Sequence, residues 1–323
     1  MLVRADDGVL HALSRVCAHR SMDVLGGAPE AGSTRRFTCP YHLWSYRLDG
    51  SCIGATDMSA SEVFDADSCR LGELALTEWQ GVVFVNLDRD AAPLDARMAG
   101  LTELLGAVDF TDWRLARTLD WGEQPANWKV VIENGLECYH HMGVHRDTLE
   151  PVFPHNAIDV ALSSDPEWVA GFMEIDAAFA VGEADGMPVH PTFFAQPAGG
   201  LRPIQRASTL IAGVLPMFFI AMSPDFVTWF RWLPTGPEHH RVDLNIIVPP
   251  AAYAQEDRDV VLDAIAETLN AIQAQDAATN AAVQRMTRSP FAGNGPLSKL
   301  EYPLWQFQRY LASRLASASV HDE

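Results

Sequence analysis

The stretch CAHRSMDVLGGAPEAGSTRRFTCPYHLW, residues 17–44, carries two Cys-His pairs, Cys17 with His19 and Cys39 with His42. Each pair offers one sulfur and one nitrogen. A [2Fe–2S] cluster with two thiolates on one iron and two imidazoles on the other could take one ligand of each kind from each pair. A tetrahedral zinc ion could use the same four side chains, so the pattern alone leaves both metals open.

The composition is that of a globular protein without a disulfide framework. The chain has 323 residues, of which 48% are hydrophobic and 20% charged, and its net charge is −19. Such an acidic chain is not expected to offer a broad surface to nucleic acid or to anionic membranes. No apolar run reaches the roughly 20 residues of a membrane span, and no signal peptide is visible, so we expect a cytoplasmic protein. Five cysteines in this context favour metal ligation over disulfides for some of them.

The pattern of residues divides the chain in two. Up to about residue 105, short alternating segments are separated by turns such as Asp49-Gly50, which predicts a small all-β domain over 1–105. Beyond it, helical periodicity and β-branched segments predict helices with an antiparallel sheet over 106–323, so the fold class is α+β. Helical periodicity is clearest at 127–142, 255–287 and 298–317.

A second group of potential ligands lies in NWKVVIENGLECYHHMGVH, residues 127–145. On a continuous helix Glu137 and His140 share one face, whereas His145 points away from it. Gly143 offers a break that could bring His145 round. Two imidazoles with one carboxylate form the facial triad of non-haem Fe(II) oxygenases, so the sequence predicts a second metal site here.

Taken in this order, the two motifs resemble the α (oxygenase) subunits of the Rieske non-haem iron aromatic ring-hydroxylating oxygenases. The first motif resembles the ligand loops of a Rieske domain, with His19-Arg20 and then Cys-Pro-Tyr-His followed by an aromatic residue and Asp-Gly. The second has Asn-Trp-Lys, Glu-Asn, an acidic residue, Tyr-His and a later His in the family's order. The resemblance implies a Rieske domain followed by a helix-grip (START/Bet v1-like) catalytic domain with an antiparallel sheet.

Two metal centres are implied by the same resemblance. A Rieske [2Fe–2S] cluster would be held by Cys17, His19, Cys39 and His42. A mononuclear Fe(II), with dioxygen as co-substrate, would be held by His140, His145 and Asp276. Asp276 is assigned because it stands eight residues before Gln284 on a helical stretch, as the third ligand does in the family.

The resemblance also implies a homotrimer in which the cluster of one subunit lies beside the iron of the next. Glu137 would then be the electron bridge, joining His42 of one subunit to His140 of its neighbour. Most relatives have Asp at this position, and Glu also occurs in relatives that act on quaternary amines. The residues expected to support the ligands or to line the substrate pocket are Asn134, Tyr139 and His141.

Function is expected to be that of a terminal oxygenase component. It would receive electrons from a separate NAD(P)H-dependent reductase, with or without a ferredoxin, and hydroxylate or dihydroxylate an aromatic substrate. One alternative is a monooxygenase or N- or O-demethylase for a quaternary amine or a methoxy-aromatic compound. Another is a catalytically inactive electron-transfer homologue. A zinc-binding regulator is the remaining alternative.

Other residues offer weaker expectations. His155 and His190 are candidates for substrate contact from loops, whereas His239-His240 follow a turn and are expected to be exposed. The aromatic residues available for a pocket, which are equally typical of a core, are Phe193, Phe194, Phe218, Phe219, Phe226, Trp229 and Trp232.

The chain opens on LVRADDGVLHA, which resembles a strand well inside the Rieske domain of relatives. We therefore expect the N-terminal part of that domain to be missing from this sequence, and a gene start placed too late is the preferred explanation.

Overall fold

The computed structural model of the protein describes residues 1–27, 31–161, 167–293 and 295–318. The chain forms two compact units that divide after Ala96. The sequence pattern places this boundary at residue 105, but helix α1 (Asp95–Leu105) lies almost wholly in the second unit. The carbonyl of Leu105, at the end of α1, accepts a 2.9 Å hydrogen bond from Gln205 Nε2 of that unit. The boundary therefore falls in the first turn of α1.

Short antiparallel strands build the first unit. Those among the described residues are β1 (Leu2–Arg4), β2 (Leu10–Leu13), β3 (Phe37–Thr38), β4 (Ser45–Tyr46), β5 (Cys52–Gly54), β6 (Glu73–Trp79) and β7 (Val82–Asn86). One sheet has the order β1-β2-β6-β7 and the other the order β3-β4-β5. The chain turns at Asp49-Gly50 between β4 and β5, as the sequence predicts, with Gly50 at a φ of 81°.

The core of the first unit supports the predicted cluster ligands. Tyr46 and Leu13 are completely or almost completely buried in it. Cys17 and Cys39, which are 2% and 1% exposed, belong to the same hydrophobic cluster. The two cysteines are therefore held in place by the packed core of the unit and are not exposed at its surface.

A seven-stranded antiparallel sheet dominates the second unit, in the order β8-β16-β15-β14-β13-β10-β9. Its strands are β8 (Arg114–Gln124), β9 (Ile158–Ala161), β10 (Trp168–Glu174), β13 (Ser208–Val214), β14 (Phe218–Met222), β15 (Val227–Gly236) and β16 (His239–Val248). A separate hairpin is formed by β11 (Glu183–Ala184) and β12 (Met187–Pro188). The helices are α2 (Trp128–Gly135), α3 (His141–Val144), α4 (Pro203–Ala207), α5 (Pro250–Tyr253), α6 (Arg258–Met286) and α7 (Tyr302–Ala318).

Two long helices complete the core of this unit. Leu262 and Ile265 of α6 pack in one cluster with Leu244 of β16. Phe307 of α7 packs in another cluster with Ile132 of α2. An antiparallel sheet packed against a long helix, following a small β unit, is the α+β helix-grip arrangement that the resemblance implies.

Among the residues that the structure describes, no helix is long and apolar enough to cross a membrane.

Leu262→Ala should lower the free energy of unfolding of the second unit by roughly 2–5 kcal/mol, because Leu262 is 0% exposed and truncation leaves a cavity. Val260→Ala on the same helix is the control. Val260 is 71% exposed, so its truncation should change stability by less than about 0.5 kcal/mol. Urea denaturation followed by circular dichroism measures both, and equal losses would contradict the packing of α6 described above.

Candidate functional site

The two loops that carry the Cys-His pairs share one backbone geometry. In each loop the cysteine N–H donates to the carbonyl five residues on (2.8 Å), and the cysteine carbonyl accepts from the amide four residues on (3.0 Å). The residues at that fourth position, Ser21 after Cys17 and Leu43 after Cys39, have left-handed φ angles of 56° and 61°. This conformation is uncommon for residues other than glycine. The two loops are therefore matching halves of one site.

The four predicted cluster ligands come together on these loops. The rings of His19 and His42 have centroids 4.7 Å apart. The Cys39 thiol is close enough to Cys17 to help lower the pKa of its thiol. His19 is held by stacking on Trp44, with ring centroids 4.6 Å apart and planes 4° from parallel.

The chemistry of this donor set fits an iron–sulfur cluster. His19 Nδ1 is buried and has no hydrogen-bond partner among the described residues. Burial alone would raise the pKa of the Cys17 thiol, but hydrogen bonds with Tyr46, with backbone at His19 and Arg20 and with Cys39 lower this pKa overall. A thiol shifted toward thiolate and an orphaned imidazole nitrogen are suited to the Cys₂His₂ ligation of a Rieske cluster.

A second donor set lies in the second unit. One ligand atom each from His140, His145 and Asp276 lie within 4.8 Å of one another. Asp276 Oδ1 is 3.0 Å from His145 Nε2 and 3.8 Å from His140 Nε2. Two imidazoles and one carboxylate converging in this way fit the facial triad of non-haem Fe(II). Burial would lower the pKa of His145, but Asp276, Gln275 and Glu137 together raise it above its ordinary value.

The helices that carry the two histidines differ from those that the sequence pattern predicts. The pattern indicates a helix over 127–142 with a break at Gly143. Instead α2 ends at Gly135, and the short α3 lies between His140 and His145 as its N-cap and C-cap. The two imidazoles therefore flank one helical turn, and Gly143 lies inside that turn.

Each histidine is oriented through its other ring nitrogen. His140 Nδ1 lies 2.7 Å from Glu137 Oε1, and Glu137 Oε2 accepts from the His140 backbone N–H at 3.0 Å. His145 Nδ1 lies 2.7 Å from Gln275 Oε1, which also accepts from Thr148 Oγ1 at 2.9 Å. Oxygen acceptors at both Nδ1 atoms keep the Nε2 lone pairs directed at the metal position. Gln275 is not among the residues predicted from the sequence, although its position next to Asp276 is a usable signal.

The eight-residue interval between Asp276 and Gln284 has a physical explanation. Residues four apart on a helix share a face, so Asp276, Asn280 and Gln284 form one stripe along α6. Asn280 Nδ2 donates to Asn134 Oδ1 (3.2 Å), and Gln284 Oε1 accepts from the Asn127 N–H (2.8 Å). This stripe ties α6 to both ends of α2, and so aligns Asp276 with the histidines that follow.

The other predicted residues differ in their placement. His141 is buried beside the metal position; its Nδ1 donates to the Phe153 carbonyl (3.0 Å), and burial lowers its pKa to about 4. Tyr139 is 42% exposed and does not line the cavity described below, so its supporting role stays a prediction. His240, expected to be exposed, is 1% exposed, and its Nδ1 bonds to the Ala126 carbonyl at 2.8 Å.

A cavity of about 250 Å³ opens beside the metal position, and Glu137, Asn134 and His141 line it together with the triad. The aromatic side chains of its wall are Phe153, Phe193, Phe219, Phe226, Phe230 and Trp232. Four of these are among the predicted pocket aromatics, whereas Phe194, Phe218 and Trp229 do not line the cavity. Within the described part of the chain, its lining residues include the carboxylates of Glu137 and Asp276 but no Lys or Arg.

A small β unit with a Cys₂His₂ set, followed by a helix-grip unit with a His₂-carboxylate site, defines a Rieske-type non-haem iron oxygenase subunit. Residues 1–66 match the Rieske [2Fe-2S] domain, and residues 110–317 match the family described as ring hydroxylating alpha subunit (catalytic domain). The chain belongs to this family. The family's cofactors are a Rieske [2Fe–2S] cluster and a mononuclear iron that works with dioxygen, and the two donor sets described above fit them.

Curated relatives match part of the chain. The oxygenase subunit of carnitine monooxygenase from Acinetobacter baumannii is 36% identical over 142 residues, which is 43% of this chain and 38% of that protein. The oxygenase subunit of glycine betaine monooxygenase from Chromohalobacter salexigens is 35% identical over 159 residues, which is 49% of this chain and 35% of that protein. The matched regions thus span well under half the length of these relatives.

Solved structures share the fold along almost the whole chain. The quaternary ammonium Rieske monooxygenase CntA in complex with an inhibitor has a TM-score of 0.73 and 24% identity, covering 97% of this chain and 80% of its own. Naphthalene 1,2-dioxygenase from Rhodococcus sp. bound to indole has a TM-score of 0.70 and 20% identity, covering 96% and 82%. At these identities the likeness concerns the fold.

Asp276→Ala should remove the mononuclear iron and leave the cluster in place, because the carboxylate lies in the triad and not on the Cys-His loops. Iron content should fall from about three to about two atoms per chain, with the visible spectrum of the cluster unchanged. Asp263→Ala is the control on the same helix, since the Asp263 side chain is 75% exposed. Full iron content in the Asp276 variant would contradict the assignment of this ligand.

Proposed function

We propose that this chain is the oxygenase component of a multicomponent Rieske system that oxidises a quaternary ammonium compound. The observation that carries the proposal is the cavity beside the triad. Its wall is aromatic, and its lining, among the residues that the structure describes, has two carboxylates and no Lys or Arg.

The charge of the cavity favours a cationic substrate over an anionic one. A divalent metal would balance Glu137 and Asp276, and among the described residues the lining offers no Lys or Arg to pair with a substrate carboxylate. The other histidines of the lining, His141 and His190, are buried, and this burial lowers the pKa of each, which favours their neutral form. An aromatic carboxylate is therefore poorly suited to this cavity. A quaternary ammonium group, by contrast, is attracted to the faces of aromatic rings without needing a hydrogen bond.

The relatives support the same choice. Those reported above are described as oxygenase subunits acting on carnitine and glycine betaine, and CntA is described as a quaternary ammonium monooxygenase. A neutral aromatic compound is the second candidate, because the wall is aromatic and the fold is shared with naphthalene 1,2-dioxygenase. Aromatic hydroxylation, the primary expectation from the sequence, thus takes second place.

The ligands, their hydrogen-bond partners and the aromatic wall have separate roles in the proposed reaction. When bound, the cluster supplies single electrons and the mononuclear iron activates dioxygen. Cys17, His19, Cys39 and His42 would hold the first centre, and His140, His145 and Asp276 the second. Gln275 and Glu137 keep the two imidazoles in one tautomer and one orientation. The aromatic wall binds the substrate and excludes water from the reacting carbon.

We propose Glu137 as the electron bridge within a homotrimer, where it would join His140 to the partner subunit's His42. Its carboxylate already bonds to His140 within the chain. The residues that flank His42 are exposed and apolar, Tyr41 by 53% and Leu43 by 60%, which suits a contact with another subunit. An NAD(P)H-dependent reductase, with or without a ferredoxin, would reduce the cluster again after each electron transfer.

The three donor groups of the triad converge in one place, and this disfavours the alternative of an inactive electron-transfer homologue.

Oxygen uptake coupled to substrate tests the proposed class. With a compatible reductase and NAD(P)H, the holoenzyme should consume dioxygen with carnitine, glycine betaine or choline and release an oxidised product. Benzoate and naphthalene are the comparison compounds. Stoichiometric uptake with naphthalene and none with the three quaternary amines would overturn the quaternary ammonium proposal in favour of the second candidate.

Glu137→Gln should keep both metals and lose most turnover. Glutamine preserves an acceptor for His140 Nδ1 but removes the charge, so steady-state oxidation should fall roughly 10–100-fold. The measurements are iron content and the single-turnover rate at which the reduced cluster passes its electron on.

Glu150→Gln is a matched control for this variant. Glu150 binds His155 as Glu137 binds His140, with 2.7 Å to Nδ1 and 3.0 Å to the backbone N–H, and it does not line the cavity. Its substitution should leave turnover within about twofold of the parent. An unchanged single-turnover rate in the Glu137 variant would refute its role as a bridge.

A further inference from the structure

A buried carboxylate outside the triad lies in the turn between β14 and β15. Asp225 is 0% exposed, and burial raises its pKa to about 6. Its Oδ2 accepts from two consecutive backbone amides, those of Phe193 at 2.6 Å and Phe194 at 2.7 Å. Its Oδ1 has no hydrogen-bond partner among the described residues. Burying a carboxylate with one oxygen unpartnered costs solvation free energy, so its presence here calls for an explanation.

The two amides belong to a loop with several anchors, among them the His190 amide, which donates to the Arg206 carbonyl at 2.8 Å, and the buried side chain of Phe194. Between β12 and α4 the chain runs from residue 189 to residue 202 without a regular element. Beyond the Asp225 contacts, the amide of Ala198 donates to the Pro224 carbonyl at 2.7 Å, and that of Ala195 to Gln255 Oε1 at 3.0 Å. The turn at 224–225 thus holds this loop at both Phe193 and Ala198.

Phe193 is placed at the mouth of the cavity by this arrangement. Its side chain lines the cavity and is also 43% exposed, whereas each of the other aromatic side chains of the wall is buried or half-buried. Its ring meets Phe226, another wall residue, edge to face, with centroids 5.9 Å apart. A ring in this position borders both the solvent and the substrate space.

We infer that Asp225 is a positioning residue for substrate selection: it holds the Phe193 backbone so that the ring forms the outer wall of the site that receives the cationic head of the substrate. This inference rests on the proposed function for the identity of the substrate. The hydrogen bonds and the burial that carry it do not depend on that identity.

A carboxylate is suited to holding this loop because one of its oxygens can accept hydrogen bonds from both amides. Neighbouring N–H groups that point the same way form a small anion site in the backbone. Removing the acceptor leaves the buried amide of Phe194 and the partly buried amide of Phe193 without a partner, and the loop must move for them to reach water. Replacing the acceptor with a neutral oxygen keeps the bonds.

Amide hydrogen exchange tests the anchor without any substrate. In the holoenzyme, Asp225→Ala should speed exchange at Phe193 and Phe194 by at least about tenfold, because the amides lose their acceptor. Asp225→Asn keeps an oxygen at this place and should restore the protection. Unchanged exchange in the alanine variant would overturn the inference.

Kinetics test the consequence for selection. With choline, Asp225→Ala should raise KM about tenfold and leave kcat within about twofold, because the affected ring contacts the cation and not the reacting atoms. For 3,3-dimethylbutan-1-ol, the neutral carbon analogue of choline, Asp225→Ala should change the binding constant by no more than about threefold. Gln255→Ala, which releases the same loop at Ala195, is the control and should leave KM for choline within about twofold.

A double-mutant cycle then connects the two residues. Phe193→Leu should raise KM for choline by itself, and adding Asp225→Ala to it should bring little further change, since both act through the same ring. Fully additive effects would overturn the inference.

The outcomes separate this inference from the proposed function. If quaternary amines are not oxidised and naphthalene is, the quaternary ammonium proposal fails, and the same cycle is measured on naphthalene. Non-additive effects there, with faster exchange in Asp225→Ala, would support Asp225 as the positioning residue for Phe193. Additive effects or unchanged exchange would overturn it whichever substrate is oxidised.

Discussion

The packing of α6 against the segment that carries the two histidines is the constraint on which the catalytic site depends. Three side chains at successive turns of α6 reach His145, Asn134 and Asn127, and Gln275 adds a contact to the other nitrogen of His145. Each contact joins residues more than a hundred positions apart in the chain. The carboxylate therefore meets the imidazoles only when the whole second unit is folded.

The two metal sites are built by different means. The first relies on two short loops with the same backbone hydrogen bonds and with a left-handed residue at the same position, four residues after each cysteine, so its geometry is largely local to each loop. The second combines a local turn around α3 with a distant helix. This difference explains why the Cys-His pairs are recognisable within 28 residues, whereas Asp276 needs Gln284 as a marker of register.

The cavity links the site to the choice of substrate. The carboxylates of its described lining are Asp276, in the predicted triad, and Glu137, which bonds to His140, so in the proposed function the aromatic faces would provide most of the remaining recognition. Glu137 has a place in both functions, because it lines the cavity and bonds to a metal ligand. With Glu137 as the proposed electron bridge, substrate binding and electron transfer would meet at one carboxylate.

The sequence by itself predicted the two Cys-His pairs, the histidines of the second site, the order of the two units and the α+β class, since these follow from residue types at short spacing and from periodicity. The assignment of Asp276 needed the family resemblance as well. The sequence did not locate the end of α2 at Gly135, the bond from Gln275 to His145 or the burial of His240. Nor could it distinguish Phe219, which lines the cavity, from its neighbour Phe218, which does not. Only the tertiary structure decided these points, because each depends on which distant side chain occupies the facing position, and local propensity carries no such information.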